Sequence, residues 1–268
     1  MAYLKVGSHR IEVIYHGNFK GSRPVVVLLH QGLGCCALWK DFPQRLYQSL
    51  KLPVFAYSRL GHGKSDPCPR PRSVDFMHQE AKTFLPRILS AASIDHYILL
   101  GHSDGGSIAL IHAGCPGISK GLAALVTEAA HVFCEPMTTG AIARAKAAYE
   151  KGALKKQLEK YHGSNTDHAF RNWCDPWLSP AFTQWNIERY LEKIQVKTLA
   201  LQGTEDEYGS PDQLKRIGKN IHRCNTHMIK GGDHNIHSHP HFLALLEEFM
   251  DKPGKPFTQK NLDSTFYS

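Results

Sequence analysis

Val25-Val26-Val27-Leu28-Leu29 is an unbroken apolar run rich in β-branched residues. A strand with one face in water alternates apolar and polar residues. A continuous run is a strand covered on both faces, the condition of a parallel sheet held between helix layers. Short runs of a similar kind occupy 54–57, 97–100, 122–127, 198–201 and 226–229. Ahead of them, 4–6 and 11–15 alternate more and predict an antiparallel pair at a sheet edge, turning at Gly7-Ser8-His9. Helical spacing fills the gaps at 42–50, 74–92, 107–113 and 239–250, with Pro86 expected to kink the second. Strands alternating with helices make an α/β fold with right-handed crossovers. From 134 to 190 the alternation stops. Helical patterns at 141–149 and 153–161 are followed by Trp173, Trp177, Phe182 and Trp185 with no strand run. The organisation expected is a core of 1–133 and 191–252, an all-helical insertion at 134–190, and a polar tail at 253–268.

Composition narrows the function. Thirty-two Lys and Arg against 24 Asp and Glu give +8. The basic residues are dispersed and unaccompanied by aromatic motifs, so nucleic acid is not the expected partner. No apolar stretch nears the ~18 residues of a membrane span. The first ten residues lack the apolar core of a signal peptide. The seven Cys, an odd number without a C-x-x-C pair, favour a reducing compartment, so a cytoplasmic location is expected.

The chemistry is concentrated in Leu100-Gly101-His102-Ser103-Asp104-Gly105-Gly106. An apolar strand enters G-x-S-x-G and an apolar helix leaves it. A serine on so sharp a turn projects its hydroxyl from the sheet edge, and side chains two residues to either side would collide, hence Gly101 and Gly105. The following helix directs its N-terminal N–H groups at the site. Ser103 is therefore the expected nucleophile. A serine needs a base and a group to orient it, in the chain order Ser, acid, His for this turn. His234, in Lys230-Gly231-Gly232-Asp233-His234 after the last strand run, is the candidate base. Asp206 is the candidate acid, with Glu205 and Glu207 as neighbours. Glu128, ending the 122–127 run, is the alternative acid. The oxyanion donors expected are the N–H groups of Asp104 and of Gly32, with Leu33 in place of Gly32 as the alternative. Leu33, His131, Phe133, Trp173, Trp177 and Trp185 are candidate pocket walls. His102 reads as structural. The run His234, His237, His239, His241 has a spacing of two that suits no usual zinc pattern, so no metal is expected.

With these residues placed, the chain resembles α/β-hydrolases of the serine-nucleophile group, which includes meta-cleavage-product hydrolases, biphenyl-hydrolase-like enzymes and small esterases. The resemblance runs from about Tyr3 to Met250. The segment Ser58-Arg59-Leu60-Gly61-His62-Gly63-Lys64-Ser65 is similar to that group's D-x-R-G-x-G-x-S turn, with Ser58 in the place of its Asp. His30-Gln31-Gly32-Leu33-Gly34 is similar to its H-G-x-x-G oxyanion loop, with Gln31 in the place of a Gly. The resemblance implies a mostly parallel eight-stranded sheet flanked by helices, with 134–190 as a helical cap. Relatives that dehalogenate or open epoxides use an Asp nucleophile, which Ser103 excludes. The function expected is a serine hydrolase cleaving a carboxylic ester or thioester of a small molecule, without a cofactor. The alternatives are a C–C hydrolase of meta-cleavage-type diketones and a ligand-binding protein of hydrolase fold with little turnover. A homodimer is compatible with the sequence.

Overall fold

The computed structural model describes residues 2–19, 21, 23–68 and 71–251. The predicted tail at 253–268 lies outside them. Eight strands form one sheet in the order β1-β2-β4-β3-β5-β6-β7-β8. They are β1 (Ala2–Val6), β2 (His9–His16), β3 (Val25–Leu29), β4 (Val54–Tyr57), β5 (Tyr97–His102), β6 (Leu122–Glu128), β7 (Lys197–Gly203) and β8 (Cys224–Ile229). β1 and β2 pair antiparallel, as their alternation predicts, and β2 joins β4 antiparallel. Every other pairing is parallel.

The helices are α1 (Phe42–Leu50), α2 (Phe76–Gln79), α3 (Leu85–Ala91), α4 (Asp104–Ala113), α5 (Pro136–Glu150), α6 (Ala153–His162), α7 (Thr166–Trp177), α8 (Glu188–Leu191), α9 (Pro211–Asn220) and α10 (Phe242–Asp251). Period-2 geometry splits the strands between two cores. Val25, Val27 and Leu29 pack with Leu85, Ile88, Ile108 and Ile217 on one face. Val26 and Leu28 pack with Phe42, Leu46, Phe242 and Phe249 on the other. Fully burying each such side chain contributes about 1.5–3 kcal/mol, which is why β3 carries no polar residue.

The helix predicted over 74–92 runs without a break from Phe76 to Ala91, as α2, a π-helical turn at Glu80–Phe84 and α3, and the irregularity that accompanies Pro86 is that widened turn just before it. One helix prediction is corrected. The last helix starts at Phe242 rather than at 239, because Pro240 precedes it. Between β6 and β7 the chain forms helices and their connecting loops, with one isolated bridge, Phe133 with Asn186. Among the described residues no helix is long and apolar enough to cross a membrane.

Candidate active site

β5 delivers Ser103 into the turn before α4 at φ 55°, ψ −119°. This is a strained conformation for a residue with a side chain. Neighbouring backbone leaves no alternative. A Cβ at Gly101 would lie 2.3 Å from the Gly105 carbonyl oxygen, and one at Gly105 only 2.0 Å from that of Leu29. The Ser103 N–H is tied to the Glu128 carbonyl at 2.9 Å, so strand pairing with β6 fixes the elbow's height.

His234 follows β8, and its Nδ1 lies 2.8 Å from Asp206 Oδ1. Asp206 sits in the loop after β7. Its carboxylate also accepts the Tyr208 N–H at 2.9 Å and the Gln202 amide at 3.3 Å. Burial works against its charge, but the hydrogen bond and charge of His234 and the Tyr208 N–H hold the carboxyl below its ordinary range. An acceptor at Nδ1 keeps the proton there and leaves Nε2 as the free basic nitrogen. The Tyr208 ring flanks His234 with centroids 4.7 Å apart. Ser103, Asp104, His234 and Gly32 line one cavity of about 290 Å³.

The rival acid makes other bonds. Glu128 accepts from His237, at 2.6 Å from Nδ1 and 2.7 Å from the backbone N–H, and makes none with His234. His102 turns away from Ser103, and its Nε2 donates to the His234 carbonyl at 2.9 Å. Leu33, His131, Trp173 and Trp177 line the cavity, joined by Ile142, Leu154 and Leu158 of α5 and α6. Phe133 and Trp185 do not line it. Phe133 lies under the Arg216 guanidinium, and Trp185 stacks on Phe182, because both are drawn into packing beside the Phe133–Asn186 bridge. Trp173 presses on the 30–34 loop so closely that a Cβ at Gly32 would meet its indole at 2.2 Å. The Trp177 indole donates to Asp104 Oδ1 at 3.1 Å. Burial raises the Asp104 carboxyl to about 6, opposed chiefly by the nearby Arg59.

Sequence reasoning missed the side chains that brace the 30–34 loop. Arg59 donates to the carbonyls of His30 and Gln31, both at 2.9 Å. His62 Nε2 bonds the Gly32 carbonyl at 3.0 Å. His162 of α6 accepts the Gly63 N–H at Nδ1, so its Nε2 is the donor to the Leu33 carbonyl at 3.1 Å. Within the loop, the Gly34 N–H closes the turn on the Gln31 carbonyl at 3.0 Å. The departure at Ser58 is compensated locally. Glu12 of β2 places Oε2 at 2.7 Å from the Ser58 hydroxyl and 3.0 Å from the Lys64 N–H, so a carboxylate still organises the turn.

Four imidazoles around the site are fully enclosed. Burial, first among the causes, holds His30 and His62 well below the ordinary His range, His102 at about 3 and His131 at about 4. A His with its folded pKa below the unfolded ~6.5 takes up its proton more readily in the unfolded chain. Its neutral form is then compatible with the fold above about 6.5, and stability is lost as pH falls below that value. Each group contributes a slope of up to about 1.4 kcal/mol per pH unit. The melting temperature should therefore fall between about pH 6.5 and pH 4.5; the buried Asp104 carboxyl, which takes up its proton near 6 in the folded chain, works the other way but offsets no more than one of the four slopes. Thermal denaturation across buffers measures this, and a flat profile down to about pH 4.5 would contradict it.

An open, mostly parallel α/β sheet with a serine on the β5–α4 elbow and a His–Asp pair at the ends of the last two strands defines a class of hydrolase fold. The alpha/beta hydrolase family model matches residues 26–244, and the chain belongs to that family. No curated protein matches the sequence. Among solved structures, the enol-lactonase of Burkholderia xenovorans LB400 is similar with a TM-score of 0.72 at 16% identity, over 94% of this chain and 100% of that one. The esterase EaEST of Exiguobacterium antarcticum is similar with a TM-score of 0.73 at 19% identity, over 93% and 99%. The proline iminopeptidase of Mycobacterium smegmatis is similar with a TM-score of 0.66 at 17% identity, over 93% and 97%. At these identities the likeness is one of fold.

Proposed function

We propose that this chain is a serine hydrolase that cleaves a carboxylic ester or thioester of a small molecule through an acyl-enzyme. The observation that carries the reading is the Asp206–His234 pair at 2.8 Å opening on the cavity that holds Ser103 at its strained elbow. Ser103 Oγ attacks the carbonyl carbon while His234 Nε2 takes its proton. Asp206 keeps the imidazole in the required tautomer and stabilises its cation. The N–H groups of Asp104 and Gly32 receive the oxyanion. His234 then protonates the leaving alcohol or thiol, and the same base activates the water that frees Ser103.

The cavity size supports a small substrate. At about 290 Å³ it stands at the lower end of the ~300–1,000 Å³ typical of ligand pockets. Its apolar lining by Ile142, Leu154 and Leu158, with Trp173 against Gly32, suits an apolar acyl or alkyl group. In this reading α5 to α7 act as a cap. Incubation with a fluorophosphonate followed by peptide mass spectrometry is expected to place the adduct on Ser103. A p-nitrophenyl ester series should then favour acetate and butyrate over long acyl chains, with a ring-cleavage diketone run beside it. Absence of both labelling and ester turnover would overturn the proposal. Faster turnover of the diketone than of any ester would move the function to C–C hydrolysis.

A further inference from the structure

Beneath the His234 loop, on the side away from the substrate cavity, three side chains meet that the proposed reaction does not use. His102 ends β5, Glu128 ends β6, and His237 lies in the 3-10 turn Ile236–Ser238. One ligating atom from each falls within 4.8 Å of the others. We propose that His102 Nδ1, Glu128 Oε1 and His237 Nδ1 form a binding site for a divalent cation of the Zn²⁺ type, which fastens the His234 loop to the sheet.

The donor set is two imidazole nitrogens and a carboxylate oxygen, a combination that suits zinc. The outer bonds are already those of a ligating set. His102 Nε2 can only donate to the His234 carbonyl, so in the neutral ring Nδ1 carries the lone pair, and it stands 3.7 Å from Glu128 Oε1. Ligating imidazoles characteristically donate their other ring N–H to a backbone carbonyl in this way. Glu128 Oε2 is anchored by the His237 N–H at 2.7 Å, which leaves Oε1 to face the two rings. Donors at 2.0–2.1 Å around a tetrahedral ion stand about 3.4 Å apart. The observed 2.6 Å between Glu128 Oε1 and His237 Nδ1 and 3.7 Å between Glu128 Oε1 and His102 Nδ1 bracket that spacing.

A second cavity of about 270 Å³ gives access, with His102 and His237 in its wall. Trp39 lines it as well, and its buried indole N–H has no acceptor among the described residues. A water or hydroxide completing the cation's coordination would supply that acceptor. A proton between His237 and Glu128 holds the cluster together without a cation. On binding, the His237 Nδ1–H bond breaks, the nitrogen lone pair goes to the cation, and Nε2 takes up a proton through solvent, so the ligating ring stays neutral.

The test uses full-length protein stripped with a chelator. Calorimetry with Zn²⁺ should show one ion per chain. Co²⁺ in its place should give the intense visible absorption of a tetrahedral site. Glu128→Gln and His237→Ala should each weaken binding at least about 10-fold, the lower range for disturbing a metal site's ligand shell. A His239→Ala/His241→Ala double variant should bind as the parent does. The proposal is overturned if no stoichiometric binding occurs up to about 1 mM, the weak extreme for protein metal sites. It is equally overturned if affinity is unchanged in His237→Ala or disappears in the double variant. Should Glu128→Gln fail to fold, the Co²⁺ spectra of the parent and of His237→Ala, whose side chain reaches the surface, decide the matter.

Discussion

Replacing Ser103 with Ala is expected to reduce kcat on p-nitrophenyl acetate by about 10⁴–10⁶ while leaving the melting temperature unchanged. The first half follows from covalent catalysis. Without Oγ no acyl-enzyme forms, and only the oxyanion donors and binding remain, together worth about 10³–10⁴ over water in serine hydrolases. The second half follows from the local structure. Ser103 makes no capping hydrogen bond through its side chain at the start of α4. The strained φ of 55° is enforced by Gly101, Gly105 and the pairing to Glu128, and Ala inherits it unaltered. Steady-state kinetics and calorimetry on the same preparation measure both quantities. Wild-type turnover in the variant would show that another group is the nucleophile and would remove the proposed function.

The sheet was legible because its central strands are buried on both faces, which writes a continuous apolar run such as 25–29 into the chain. The edges were less legible. β8 was read only from Thr226, since Cys224 and Asn225 are half-exposed and polar enough to break the run. α9 passed unnoticed because Leu214 and Ile217 are the only large apolar side chains among its buried positions, the third being Gln213, and most of the others are charged or polar. α7 was seen only as aromatic residues, because Pro176 within it and the polar Thr166 and Asn172 among its buried positions interrupt the apolar spacing of a helix. In the candidate site, Ser103, His234 and Asp206 stood out because chain order and turn type restrict them. Arg59, His62 and His162 did not. Each acts on a backbone carbonyl 28 to 129 residues away, and nothing in a residue's neighbours names the carbonyl it will meet. Glu12 was hidden for a related reason. Alternation marks Ile11 and Val13 as the inward positions of β2, yet Glu12 between them is also buried because the 58–65 turn folds over that face.

Asp206→Asn is expected to lower kcat by about 10³–10⁴ with little change in KM, and the argument is one of tautomers. In the parent, Asp206 is surrounded by donors: the His234 ring, the Tyr208 N–H and the Gln202 amide. An Asn there must turn its NH₂ toward one of them. Facing Gln202, it sets two amide donors against each other. Facing His234, it presents a donor to Nδ1, and the ring answers by moving its proton to Nε2, the nitrogen that must be free to deprotonate Ser103. Either way the charge that stabilises the imidazolium in the transition state is gone. The carboxylate's bonds also say how Glu128→Gln should differ. Its partner is the His237 side chain and backbone, so that change reaches His234 only through the position of the loop. A loss of kcat at least about 100-fold smaller than for Asp206→Asn is expected, since catalytic geometry is disturbed while the tautomer is kept. If instead Asp206→Asn stays near parental kcat and Glu128→Gln abolishes it, the acid is the one on β6, and the Asp206–His234 bond belongs to a resting arrangement that the reaction does not use.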